Sequence, residues 1–327
     1  MEEIQEKSCG IILYSYYNNE VRYLFLERAK GWIDFPKGHI EKFENCMEAA
    51  RRETYEETGI MPEFIDPFFK HDMYYNVKRY NIDVLRVITL YIASVPYDSV
   101  VKVSEEHVSY RWLSYEDACK ELEFENQKSM LKYANDYIKK KNLMNKLNYE
   151  YSRLPRKDHT WSMSKNYVPG EGNLNSEIIF IGQSPGFNED ETRRPFTGRG
   201  GLLLNSLLKT AGLERDRIYL TNVLKFMTPK NRPPNKKEID IALPYLLREI
   251  DIIKPRLIVL MGSTAVNSLL PRHSVIQDHG KIIDNSNMRF YITLHPASAL
   301  HVLQNMPLIE NDFKTLGNII KDMNIKF

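Results

Sequence analysis

Apolar and polar positions along the first half of the chain predict strands with strong helices set among them. Cys9–Tyr16 and Val21–Leu26 are rich in Ile, Leu, Tyr and Phe and flank a turn at Tyr17–Asn19, the pattern of two hairpin strands. Asn45–Thr58 has neither Pro nor Gly, is rich in Ala, Met, Glu and Arg, and stops at Gly59, so it predicts a helix. Val, Ile, Leu and Tyr dominate Asp83–Ala93, a long strand, while Tyr115–Leu122 and Gln127–Lys141 predict closing helices. The polar run Lys139–Asn148 and the basic Arg153–Lys157 predict a linker and the approach to a second domain.

The rhythm then changes. Short apolar strands at Glu177–Ile181, Ile218–Leu224, Arg256–Leu260 and Arg289–Leu294 alternate with helical stretches near 200–211, 236–253, 263–270 and 308–322. Such alternation predicts a parallel sheet with crossover helices, whose ligands gather beyond the carboxyl ends of the strands. Each strand runs into a polar or Gly/Pro-bearing tip, at Gly182–Gly186, Thr221–Lys225, Met261–Ser263 and Leu294–Ser298. Neither half repeats the other. A length of 327 residues fits two domains, expected at 1–146 and 161–327 with a linker at 147–160.

Composition narrows the class. A chain that is 43% hydrophobic and 27% charged is not a disordered one. No apolar run approaches the ~18 residues of a membrane span, and Met1–Ser8 is polar and acidic, unlike a leader peptide, so no membrane partner is expected. Cys9, Cys46 and Cys119 form no spaced pair, which predicts free thiols and an intracellular setting, cytoplasmic or nuclear. Residues 1–150 carry 21 basic and 26 acidic side chains, whereas residues 151–327 carry 24 and 17. An acidic half suits metal cations and a basic half suits phosphate backbones.

The acidic half concentrates its chemistry in one helix. Glu53, Glu56 and Glu57 fall at i, i+3 and i+4, so a helix projects them from one face. Like charges this close repel, and either water or a cation must relieve them; hard oxygen ligands suit Mg²⁺, which bridges to substrate phosphates. On the glutamates alone, a solvated acidic face and a metal-binding face are both open. The surrounding residues resemble the Nudix box: Gly38, Glu44, Arg52, Glu53, Glu56, Glu57, Gly59 and Ile60 stand at its spacing, and only Thr54 replaces the usual aliphatic residue. Trp32–His39, with three residues rather than two between Trp and Pro, looks like the W-x-x-P-K-G-H lead-in of the asymmetric diadenosine tetraphosphate hydrolase type, and Ser104–Leu113 is similar to its S-x-E-H-x-x-Y-R-W-L stretch. This resemblance covers residues 9–140 and implies an α/β Nudix fold with a mixed sheet between helices. It also implies Mg²⁺-dependent (or Mn²⁺-dependent) attack of water on a nucleoside polyphosphate, with Glu53, Glu56 and Glu57 as metal ligands or base. Arg52 would orient the carboxylates, Lys37 and His39 would bind substrate, and Glu106 would assist as a further carboxylate. Tyr110 and Trp112 read as core residues.

The basic half carries motifs at its strand tips: Gly182–Gly186, Arg194–Gly201, Thr221–Lys225 followed by Asn231–Pro234, and Leu294–Leu300. Each alone is ordinary loop chemistry. Together they supply a ring to stack on an extruded base, an amide to read its edge and a His to donate to its carbonyl. They resemble the uracil-DNA glycosylase superfamily, closest to its family 4 branch with G-E-x-P-G, P-F-V-G, N-V-L-K-C, N-R-x-P and H-P, over residues 165–305. The resemblance implies an α/β/α fold with a mainly parallel sheet and hydrolytic excision of uracil from DNA. Phe196 would stack on uracil, Asn222 would pair with its edge, His295 would polarise its O2, and Ser298 would join the binding motif, with Leu300 as a wedge into the base stack.

Two departures from that branch matter. Gln183 stands where it carries Glu, which leaves two readings: a slower enzyme driven by donors to the leaving base, or a uracil-DNA binding module without catalysis. No cysteine follows Cys119; Phe226 takes the place of the Cys in N-V-L-K-C and Ile241 lies near that of a later one. An iron–sulfur cluster needs such thiolates, so none is expected, and packing by Trp161, Phe226 and Ile241 would replace it. The chain reads as a bifunctional nucleotide and DNA-repair hydrolase.

Overall fold

The computed structural model describes residues 5–79, 82–154 and 166–325, and the chain divides into two compact units, Met1–Ile138 and Lys139–Phe327. In the first, β1 (Gln5–Tyr17) turns through Asn18 and Asn19 into β2 (Glu20–Glu27). The short strands β3 (Ile33–Asp34) and β4 (Lys37–His39) lead to α1 (Cys46–Thr58). Then come β5 (His71–Arg79), β6 (Ile82–Ser94), β7 (Ser109–Leu113), α2 (Tyr115–Glu121) and α3 (Glu125–Ser152), whose residues from Lys139 on belong to the second unit. Among the described residues the sheet runs β3-β2-β1-β6-β5, with β4 on β1 and β7 on β2. Only β1 and β6 pair in parallel, so the sheet is mixed, as expected.

Helix α1 starts and stops where its sequence says it should. The Asn45 side chain accepts from the backbone of Met47 and Glu48, the Glu48 carboxylate accepts from Asn45, and Gly59 closes the helix in the left-handed conformation. Successive side chains of a strand point to opposite faces, so Cys9, Ile11 and Leu13 share one face of β1; there they pack with Ala49 and Ala50 of α1. Trp112 packs against that cluster, while Tyr110, expected in the core, is exposed.

Two expectations for this half are corrected. Lys139–Asn148 is not irregular chain but helical, inside α3, where Tyr137, Ile138, Met144, Leu147 and Tyr151 are buried at helical spacing between the lysines. Residues 155–160 of the expected linker, and Trp161, lie outside the described residues. Cys9 and Cys46 are not free thiols but form a disulfide with Cα atoms 5.5 Å apart. Strand β1 and the first residue of α1 meet in space, which a separation of 37 residues conceals.

The second unit opens with β8 (Glu171–Gly172), β9 (Ile178–Gly182), α4 (Phe187–Thr192), α5 (Arg199–Thr210) and β10 (Tyr219–Asn222). It continues with α6 (Lys236–Ile253), β11 (Leu257–Met261), α7 (Ser263–Leu269) and α8 (Val275–Asp278). The last elements are β12 (Ile282–Asn285), β13 (Met288–Thr293), α9 (Pro296–His301) and α10 (Asn305–Asp322). The sheet order is β12-β13-β11-β9-β10-β8; the inner four strands are parallel and the outer two antiparallel. Every residue of β9 and β11 is buried, as befits central parallel strands covered on both faces. Leu204 and Leu208 of α5 and Phe313 and Leu316 of α10 cover Phe180, Leu220 and Val259. Phe226 is buried among rings, 5.8 Å from Tyr151 and 5.4 Å from Tyr167, and Tyr151 stacks on Tyr245 at 4.5 Å.

Thr54 is fully buried, and among the described residues its hydroxyl has no hydrogen-bond partner. A buried unsatisfied hydroxyl costs ~1–3 kcal/mol. Thr54→Val keeps the shape and removes the polar atom, so chemical denaturation should show a gain of about 1 kcal/mol; a loss would mean that the hydroxyl is satisfied.

Candidate active sites

The glutamates of α1 gather around Arg52. Its guanidinium donates to Glu44 Oε1 and Oε2 at 2.7 and 3.1 Å, to Glu53 and Glu56 at 3.0 Å each, and to the His39 carbonyl at 2.9 Å. One planar cation therefore fixes the facing carboxylates to the β4 strand end. A Cβ on Gly38 would overlap the Glu53 carboxylate, which would then have to leave its place beside Arg52. Glu57 Oε2 accepts the backbone N–H of Lys37 at 2.9 Å, and Lys37 Nζ pairs with Asp34 at 2.5 Å. Burial pushes the Glu57 carboxyl up to about 7 and also raises Glu53. His107 is buried with Nε2 3.8 Å from Glu57 and Nδ1 3.0 Å from the Ser104 hydroxyl; burial lowers its pKa.

Glu53, Glu56, Glu57, Lys37, His39 and Glu106 all line one cavity of about 790 Å³. Arg28 and Arg86 line it too, as do the half-exposed rings of Trp32 and Phe124, 6.3 Å apart. Among the described residues no three His, Cys, Asp or Glu side chains are already drawn together as a coordination shell. The donor set nevertheless fits a hard divalent cation: it is all carboxylate oxygen, and burial raises the pKa of two of its members, a penalty that a bound cation would offset.

The second site forms where the parallel strands end. Gly182 closes β9 directly beside Asn222, which closes β10, and Met261 of β11 pairs with Thr293 of β13. Beyond these tips Gln183, Phe196, Asn222 and His295 line one cavity of about 340 Å³. A Cβ on Gly182 would lie 2.8 Å from the Phe196 ring and 2.5 Å from Asn222 Oδ1, so bare backbone lets ring and amide approach. The Phe196 and His295 rings lie 6.5 Å apart and are inclined by 30°. His295 precedes α9, and its Nδ1 accepts from the Ala297 N–H at 3.2 Å, which leaves Nε2 to carry the proton as a donor. Burial depresses the imidazole to about 4, so it is neutral at pH 7.

Charged groups brace this cavity from behind. Lys225 Nζ donates to the Asn222 carbonyl at 2.9 Å and to Glu249 at 2.6 Å, and Glu249 also accepts from the Tyr219 hydroxyl at 2.9 Å. Glu189 accepts from the backbone N–H groups of Gly186 at 3.0 Å, Thr197 at 3.0 Å and Gly198 at 2.7 Å, tying the β9 tip loop to the Phe196 loop. The Gln183 carbonyl oxygen accepts from the Thr264 hydroxyl at 2.7 Å.

Of the expected binding residues, Ser298 is not brought to the cavity lining, although its buried hydroxyl has no hydrogen-bond partner among the described residues. Leu300 is half-buried in α9, whereas Leu303, three residues on, is 80% exposed. Sequence reasoning missed Arg28, Arg86, Glu189 and Thr264. A signal existed for two of them: Glu189 follows the Gly182–Gly186 tip closely, and Thr264 follows Gly262 at the β11 tip. Arg28 and Arg86 stand in no motif.

A uracil DNA glycosylase superfamily model matches residues 169–317, and a NUDIX domain model matches residues 10–133. The chain is 38% identical over 174 residues to a type-4 uracil-DNA glycosylase of Sulfurisphaera tokodaii, covering 50% of this chain and 79% of that protein. It is 30% identical over 144 residues to the asymmetrical bis(5'-nucleosyl)-tetraphosphatase of Rattus norvegicus, covering 40% of this chain and 95% of that protein. Among solved structures, a C. elegans Ap4A hydrolase binary complex aligns at 24% identity and a TM-score of 0.38, over 41% of this chain and 98% of that one.

His295 protonates near pH 4 in the folded protein and near ~6.5 in an unfolded chain. Between those values the unfolded state binds more protons, so the group makes stability rise with pH across that window and fall as pH drops through it. His295→Gln should flatten the pH dependence of the unfolding midpoint there. An unchanged slope would mean that the imidazole is solvated.

Proposed function

Because the chain belongs to the NUDIX family through its first half and to the uracil-DNA glycosylase superfamily through its second, we propose that it hydrolyses a dinucleoside polyphosphate of the diadenosine tetraphosphate kind and excises uracil from DNA. Both are hydrolase families. For the first activity, Glu53, Glu56 and Glu57 would hold Mg²⁺ or Mn²⁺, which when bound lowers the pKa of water and neutralises phosphate charge. Arg28, Lys37 and Arg86 line the same cavity and would bind the phosphates. The exposed rings of Trp32 and Phe124 offer flat apolar surfaces to a base.

For the second, the observation that carries the proposal is the meeting of Phe196, Asn222 and His295 on one small cavity. In glycosidic cleavage the C1′–N1 bond breaks ahead of water attack, and its electron pair leaves with the base. A neutral His295 with its proton on Nε2 would stabilise the charge developing at O2; one such donor is worth ~10²–10³ in rate. Among the described residues no free carboxylate lines the cavity beside it: Gln183 is an amide bound to Thr264, and Glu189 accepts from three backbone donors. That arrangement favours catalysis through the leaving group. It is also the observation behind the second reading, a module that binds uracil-DNA without cutting.

Incubating a uracil-containing oligonucleotide with the protein, then treating it with alkali, separates the two readings. Strand breakage means excision, and retention without breakage means a reader. Glu57→Gln should abolish metal-dependent polyphosphate hydrolysis and leave uracil release intact; loss of both would refute independent sites. Asn222→Asp replaces a donor to the base edge with an acceptor and should lower uracil release by ~10²-fold; wild-type rates would remove Asn222 from recognition.

A further inference from the structure

Phe196, the ring proposed to stack on the base, has a left-handed backbone with φ 54°. A residue with a Cβ loses about 1–2 kcal/mol in that conformation, so its surroundings must impose it. Arg215, in the short turn Arg215–Arg217, reaches the same loop. Its Nη1 donates to the Phe196 carbonyl at 3.2 Å and to Asn205 Oδ1 at 3.1 Å; its Nη2 donates to the Pro195 carbonyl at 2.6 Å and to Glu171 at 3.3 Å. The Pro195 and Phe196 carbonyls lie on either side of the Phe196 Cα. One planar fork that holds both fixes the two torsions between them. The guanidinium is mostly shielded from water, and the buried Glu171 carboxylate on β8 accepts from it at 3.3 Å while also pairing with Arg194 at 2.6 and 3.0 Å. From the other side Gly201 of α5 presses on the loop, since a Cβ there would overlap the Phe196 carbonyl.

We infer that Arg215 is a positioning residue for base recognition, which holds Phe196 in the left-handed conformation that presents its ring to the cavity shared with Asn222 and His295. This rests on the glycosylase reading above. Arg215 does not itself line the cavity, so it acts through the ring. Lysine cannot take its place, because a single ammonium lacks the planar pair of donors that spans both carbonyls.

A double-mutant cycle tests the inference on the full chain. Arg215→Lys, Arg215→Gln, Phe196→Ala and the Arg215→Lys/Phe196→Ala pair are compared in single-turnover uracil release. Binding is measured in parallel on an oligonucleotide carrying 2′-fluoro-2′-deoxyuridine, whose glycosidic bond resists cleavage. Arg215→Lys should slow release by ~10²-fold, the loss expected when a reacting group is misplaced by about 1 Å. In the Phe196→Ala background the same change should alter it less than about twofold, because contacting residues that act as a unit are not additive. Arg215→Gln, whose amide ends where the Arg Nε would lie and so reaches neither carbonyl, should lose at least as much as Arg215→Lys.

A wild-type rate in Arg215→Lys overturns the inference. So does a loss that persists undiminished without the Phe196 ring, or unfolding of both Arg215 variants, since either makes the residue a general structural one. A wild-type chain that binds but does not release uracil refutes excision, and the cycle in binding still decides the role of Arg215. A chain that neither binds nor releases removes both.

Discussion

A charge taken out of water must be met by an opposite charge or by aimed donors, because stranding it costs several kcal/mol. Both halves of this chain turn that requirement into geometry. Arg52 satisfies Glu44, Glu53 and Glu56 at once and so sets their directions. Lys225 and Glu249 lie buried beneath the β10 tip and hold the Asn222 carbonyl. Glu189 collects three backbone donors from two loops. In each case the residue facing a cavity is aimed by one that does not face it, or faces it only in part. Glu53 and Glu57 keep raised pKa values even so, because burial disfavours their charged forms.

How far the sequence reveals a site depends on how local that site is. The acidic cluster sits on one helix, so its i, i+3, i+4 spacing and its Asn45 and Gly59 ends were legible residue by residue. The second cavity is assembled from the ends of separate strands. Its facing residues were legible through motifs, but the support Arg215 was not: nothing local marks it, and the Phe196 carbonyl it holds lies nineteen residues away. β5 escaped notice because His71, Asp72, Asn76 and Lys78 dilute its apolar pattern, and it stands at the sheet edge paired only with β6. The extension of α3 was hidden by its lysines, which mask a buried stripe that a count of charges does not register. The Cys9–Cys46 bond is a tertiary fact with no sequence spacing to announce it.

The two cavities also differ in how charge is presented to substrate. The first offers several carboxylates and cations together, suited to a substrate that is itself highly charged. The second is nearly neutral where it matters. Its imidazole is uncharged, Gln183 is an amide, and its one clamped carboxylate is already spoken for by backbone donors. Such a lining favours a neutral flat base that acquires charge only as its bond to the sugar breaks, when oriented dipoles help most and need no reorganisation.

The strained backbone at Phe196 sets two pressures against each other over evolutionary time. Glycine is the residue that occupies that conformation without penalty, and it is also the residue that brings no ring. On the proposed reading of Phe196 as a stacking ring, a glycine there would give a sturdier loop and remove the surface a base would lie upon. A sequence library ranked for heat resistance alone would be drawn to this position, and the variants it favoured there would be folded, durable and blind.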